Sequence, residues 1–299
     1  MSTKNISIYP AKIRVVPIIK LIKNLAEQSA GTYQKILDGA SGGVIEKRNH
    51  KKFGKIISTY KIANADGYDG TDPFNEFDYA VLSTCISEWK ELNRHSTFAI
   101  ILRSLTGKNH KNDDGIIEKN QREWIVNSVN KLMSTLITVD LTDVNEKFGY
   151  SGEKKLTAPI LPAKYVTTSL NGQPIDDVIF FTDESPILKI AEARNQIIRY
   201  NTSLLDVPNQ GNTPRIITLK NYVLRRVHEI MAHKMTPTLT FADIFEKCGI
   251  ADDASRGAKF DARKTVEAVF EHLKANGVIE TFTLVKKGVT IHSVTFTYK

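Results

Sequence analysis

Apolar residues in the last third of the chain follow two successive periods. From Thr213 onward, Ile216, Leu219, Val223, Val227 and Ile230 recur every three or four positions, the spacing that lines one face of an α-helix. Thr213-Pro214 supplies its start, with Thr as N-cap and Pro at the first helical position. A second helix is expected from Thr240, with Asp243 as a weak capping box, ending before Gly249. A third is expected from about Ala258 to Asn276, stopped by Gly277. The period then drops to two. Residues 278–284 and 289–296 read as paired strands around a Lys286-Lys287-Gly288 tip.

The same succession appears earlier. After Asp72-Pro73, helical spacing joins Phe77, Val81, Ile86 and Trp89. Ser96 then caps a helix through Leu105 that Gly107 ends, and residues 109–115 form a polar loop. A third helix spans Glu118 to Met133, with Ile125, Val129, Leu132 and Met133 inward. Residues 136–141 are a strand by β-branched content. Two further strands, Ala158 to Leu170 and Val178 to Phe181, are joined by a turn at Asn171-Gly172.

Three helices followed by a two-stranded wing is the order of a winged-helix domain. The expected class is therefore α+β, with two winged-helix domains in tandem, the first with extra β-strands. Its divisions are an N-terminal arm over 1–71, a first winged helix over 72–184, a link over 185–212 and a second winged helix over 213–299. The link begins with a short helix at Ser185-Pro186 and ends in an irregular stretch near residues 208–211. In the arm, Gly39 to Gly43 and Asn64 to Gly70 read as loops, with a short strand between Phe53 and Ile62.

Charge changes the picture of that arm. Residues 1–65 hold twelve Lys or Arg against Glu27, Asp38 and Glu46, a surplus of nine; the whole chain carries +8, so the remainder sums to −1. A basic segment on a near-neutral body suits contact with a polyanion, or a solvated arm. The chain is 41% hydrophobic and 25% charged, as in globular proteins that keep to water. No run approaches the ~18 apolar residues of a membrane helix, so a cytoplasmic protein without membrane contact is expected. Cys85 and Cys248 read as two buried reduced thiols.

Three segments resemble plasmid replication initiators built from tandem winged helices: residues 77–83 (FDYAVLS), 129–139 (VNKLMSTLITV) and 219–226 (LKNYVLRR). The resemblance follows element order over residues 72–299, and the basic arm has no counterpart in it. It implies a non-enzymatic protein that binds repeated duplex elements at an origin, recruits host replication proteins and can exist as a homodimer.

Double-stranded DNA is accordingly the expected partner. The third C-terminal helix should expose Lys259, Arg263 and Lys264 in its first half, with Arg256 just ahead, and Glu267 and Glu271 in its second. The helix macrodipole favours the opposite order, acids first and bases last. Arg can fork onto guanine in the major groove, and Lys can reach phosphate. Lys286 and Lys287 would lie along phosphates from the wing. Lys119, Asn120, Gln121 and Arg122 open the corresponding helix of the first domain, where amides suit adenine edges. Trp89 and Trp124 lie on amphipathic helices and read as core.

No cofactor or metal site is expected. No Gly-x4-Gly-Lys-Ser/Thr segment exists, since Gly107-Lys108-Asn109 lacks both the earlier glycine and the hydroxyl. The seven histidines include no His-x-His pair, and His228 and His233 are five apart. Asp66, Asp69 and Asp72 lack a downstream bidentate Glu. Asp143, Glu153 and Lys155 have the order of an Mg²⁺-dependent nuclease, which stays open as an enzymatic alternative. A transcriptional repressor would share every DNA-binding feature, and a protein-interaction module is a third alternative.

Overall fold

The computed structural model describes residues 13–17, 43–50, 54–60, 74–108, 117–140, 155–170, 173–193, 196–288 and 290–299. It is a mixed α+β protein of helices and small sheets.

The C-terminal half runs α5 (Pro214–His233), β10 (Thr238–Thr240), α6 (Phe241–Lys247), α7 (Arg256–Ala275), β11 (Thr281–Lys287) and β12 (Thr290–Thr297). Its three strands lie in the order β10-β12-β11, all antiparallel. The capping signals act as read: Thr213 and Thr240 accept hydrogen bonds from the Ile216 and Asp243 N–H groups. Leu219, Val223, Val227, Phe241, Val266, Phe270 and Phe296 meet in one core.

The preceding half repeats that order. It runs α1 (Glu76–Lys90), β4 (His95–Thr97), α2 (Phe98–Thr106), α3 (Lys119–Ser134), then β5 (Leu136–Asp140), β6 (Lys155–Pro159), β7 (Ala163–Leu170) and β8 (Gln173–Phe181). Its sheet is β4-β8-β7, the same first-last-middle arrangement, and β5 pairs with β6 as an inserted antiparallel ribbon. Three sequence boundaries shift, one of them β8, which begins at Gln173 and not at the expected Val178. Thr97, not Ser96, caps α2 by accepting from Ile100 N–H at 3.2 Å, so the last residue of β4 is also the cap of the helix that follows. The expected strand from Ala158 to Leu170 is two strands. Ile160 and Leu161 turn inward to the core between them, their N–H groups donating to the Thr135 and Leu132 carbonyls at 2.9 and 3.1 Å. The Asn171-Gly172 turn, the loop over 109–115, Gly39 to Gly42 and Asn64 to Gly70 lie outside the described residues, and Gly43, expected in a loop, opens a strand.

Two segments read as peripheral are structural. The link over 185–212 holds α4 (Pro186–Ala193), β9 (Ile197–Asn201) and a 3₁₀ turn (Thr202–Leu205). From the basic arm, β1 (Ile13–Pro17) pairs antiparallel with β9, and β2 (Gly43–His50) pairs with β3 (Gly54–Tyr60). Alternation along β1 sends Val15 to one core and Val16 to the other. Arg14, counted among the solvated bases, is buried: its guanidinium donates to the Ala80 and Ser104 carbonyls at 3.0 and 2.7 Å and to the Thr84 hydroxyl. Burial lowers its pKa from the ordinary value. Composition counts charges but does not say which are paid out as internal hydrogen bonds.

The halves also meet directly. Arg225 of α5 donates to both Glu76 carboxylate oxygens at 2.9 Å and lies over the Tyr79 and Tyr222 rings. Asn221 donates to the Leu105 carbonyl at 3.0 Å. Gly107 caps α2 at φ 77°, and a Cβ there would stand 2.5 Å from the Asp206 nitrogen. Glycine is required at that crossing.

Candidate nucleic-acid interface

α7 starts at Arg256, two residues before its hydrophobic pattern marks, because the Ser255 hydroxyl accepts from the Ala258 N–H at 3.1 Å. Ala262, Thr265, Val266, Val269, Phe270 and Leu273 face the core. Arg256, Gly257, Phe260, Lys264, Glu267 and Glu271 are exposed. Arg256 and Lys264 thus lie in the first half with exposed Asp261 between them in sequence, and Glu267 and Glu271 in the second half with exposed Lys274 beyond them.

Two residues expected to be exposed are half-buried. Lys259 is half-buried, and its ammonium donates to the Asp252 carbonyl. Arg263 is also half-buried, its guanidinium 5.6 and 5.3 Å from the Phe241 and Phe245 ring centroids on α6. These residues, four apart, share the flank of α7 that meets neighbouring segments. The periodicity of α7 alone does not reveal that flank. Arg263 is therefore held in place by aromatic faces, whereas Arg256 and Lys264 project outward.

The Lys264 ammonium stands 4.7 Å from the centroid of Phe260, which is 52% exposed. Sequence reasoning passed over Phe260. The available signal was an aromatic residue opposite the helix's apolar stripe.

On the wing, a register shift between Val285 and Lys286 precedes the pairs Lys286–Ile291 and Lys287–Thr290. Both lysines are exposed, and Gly288 turns the chain at φ 63°. In the first half, Lys119 and Asn120 at the start of α3 are exposed; Gln121 and Arg122 are half-buried. The Gln121 side-chain oxygen accepts from Glu118 N–H at 3.2 Å, and that of Asn120 from Gln121 N–H at 2.7 Å. Amides read as adenine readers thus have their acceptor oxygens engaged in starting the helix.

No protein-family model and no curated protein matches the sequence.

The remaining candidates divide between core and undescribed segments. Asp143 and Glu153 of the nuclease pattern lie outside the described residues, as do Asp66, Asp69 and Asp72; Lys155 opens β6. Among the described residues no three His, Cys, Asp or Glu side chains gather as a metal site. His228 is a core residue: its Nδ1 lies 3.0 Å from the Leu224 carbonyl oxygen, its ring is 4.9 Å from Tyr200, and burial lowers its pKa. Cys85 and Cys248 are free and buried, and burial pushes both thiols up. Trp89 and Trp124 pack against the first core, Trp89 with Arg94 4.0 Å above its ring. Among the described residues no helix is long and apolar enough to cross a membrane.

Proposed function

We propose that this chain is a non-enzymatic, sequence-specific double-stranded DNA-binding protein made of two winged helices in tandem. One observation carries the reading. Each half runs helix, strand, helix, helix and a closing strand pair, the first half with the β5–β6 ribbon inserted before that pair, and each sheet sets its first strand against its last, as β4-β8-β7 and β10-β12-β11. In that arrangement the third helix is the element offered to the major groove, and the hairpin lies beside it along the backbone. Exposed Arg256 and Lys264 on α7 and exposed Lys286 and Lys287 on the hairpin support it, because duplex affinity comes largely from cations that release condensed counterions. The resemblance to plasmid replication initiators extends the proposal to repeated elements at an origin of a plasmid or similar mobile element. There the bound protein would recruit host replication proteins, as a monomer or homodimer in the cytoplasm.

Selecting duplexes from a randomised pool with the full chain, then competing the selected site against a scrambled one, tests the reading. A selected motif bound at least ~10³-fold more tightly than the scrambled duplex is the expected outcome. Failure to enrich any motif would overturn it.

A further inference from the structure

An exposed phenylalanine in the middle of a charged helix face calls for a physical reason. Phe260 is the fifth residue of α7 and lies opposite its buried stripe, with more than half of its surface open. Arg256 precedes it by one turn and Lys264 follows it by one turn, the Lys264 ammonium resting 4.7 Å from the ring centroid. Gly257 lies beside it on the preceding turn, where a Cβ would meet nothing nearer than the Ser255 hydroxyl at 3.9 Å. Gly257 therefore adds no side chain beside the ring on the turn that carries Arg256. Glu267 and Glu271 begin about 10 Å further along the same face. Phe260 thus lies between the exposed cations Arg256 and Lys264, with exposed Asp261 next to it in sequence.

We propose that Phe260 determines part of the base specificity of this helix by packing its ring on the 5-methyl group of a thymine in the major groove. This rests on the DNA-binding reading above. The thymine methyl is the one apolar group on a major-groove base edge, and phenylalanine is among the side chains that fit it. The neighbouring cation serves both partners: Lys264 holds the ring by its π-face while its N–H groups stay available to phosphate or base oxygens. Arg263, pinned on Phe241 and Phe245, leaves this outward position to the ring.

The test uses the full chain and the duplex selected from the random pool. Each thymine is replaced singly by deoxyuridine, which removes only the methyl group, and affinities are measured for the wild type and Phe260→Ala. The wild type should lose about 3- to 5-fold at one or two positions, the effect of one methyl-sized burial. Phe260→Ala should bind the thymine duplex more weakly by a similar factor and ignore the same replacements. An unchanged melting temperature separates this loss from unfolding. The proposal is overturned if no position senses the methyl, or if Phe260→Ala keeps the full sensitivity. It is also overturned if Phe260→Ala binds the selected site as the wild type does, which would give this face to a protein partner. Failure of the wild type to enrich any duplex is a distinct result that removes the DNA reading itself.

Discussion

The third helix of the C-terminal half, α7, buries five apolar side chains and a single polar one, Thr265, which donates to the Gln210 side-chain oxygen at 3.0 Å. Its counterpart α3 buries Ile125, Val129 and Leu132, but also Ser128, Asn130, Lys131 and Ser134. The cause lies on α1, where Asp78 receives the Lys131 ammonium at 2.9 Å and the Ser128 hydroxyl. α1 itself is buried from Phe77 to Glu88, with Ser83, Thr84 and Ser87 bonding back to carbonyls four residues earlier. One half is closed by apolar side chains and leaves a clean outer face. The other spends helix polarity on internal bonds. The same order of elements therefore need not give two equal reading heads, and α7 offers more free cationic and apolar surface than α3.

The largest expected effect separates these cores. Asp78→Ala leaves Lys131 as a buried cation and should cost ~3–5 kcal/mol in denaturant unfolding, whereas Asp78→Leu with Lys131→Met should recover most of that loss. Phe270→Ala, a packing loss in the other core, should cost ~3–5 kcal/mol, with no second substitution of a polar partner to restore it. If the Asp78–Lys131 double replacement stays as unstable as Asp78→Ala, the ion pair is not what distinguishes the first core.

Next comes pH. Lys220 of α5 is buried, its ammonium donating to the Asn212 side-chain oxygen at 3.1 Å, and burial lowers its pKa to about 8 from 10.5. Between those values the unfolded chain holds a proton that the folded chain has released, so folding stability should rise with pH from about 8. The contribution is on the order of 3 kcal/mol at most. Above about pH 10 the buried Tyr79, Tyr200 and Tyr222 reverse it, because burial raises their pKa values and ionised tyrosine favours the unfolded chain. Denaturant midpoints from pH 7 to 10 should rise in the wild type and stay flatter in Lys220→Met. Equal slopes would remove Lys220 from this account.

A smaller effect distinguishes held from outward cations on α7. Arg263→Ala should lower stability by ~1–2 kcal/mol through the lost stacking on Phe241 and Phe245 and weaken binding to the selected duplex. Arg256→Ala should weaken binding without moving the melting temperature. Identical melting temperatures for both variants would place Arg263 among the free side chains.

The apolar-stripe helices, the Thr213 and Thr240 caps and the C-terminal hairpin were legible in the sequence because a helix with one solvated face writes its period into the residues. α1 was found, but its burial was not, since Asp78, Ser83, Thr84, Ser87 and Glu88 look like a solvated face until their partners are known. β1 and β9 were missed: five-residue strands 184 positions apart pair through backbone groups, which leave little trace in side-chain pattern. On the candidate interface, the exposure of Arg256, Lys264, Lys286 and Lys287 follows from charge and phase. Lys259, Arg263 and Gln121 do not, because what engages them comes from loops, rings and caps beyond their own stripe.

The salt dependence of duplex binding tests most directly whether the outer face of α7 and the hairpin tip meet DNA. Affinity for the selected duplex would be measured across salt concentrations for the wild type and for Arg256→Ala, Lys264→Ala, Lys286→Ala and Lys287→Ala combined. The slope of log affinity against log salt should become shallower by about three to four units, close to one for each phosphate contact removed. Equal slopes for the two proteins would contradict the account.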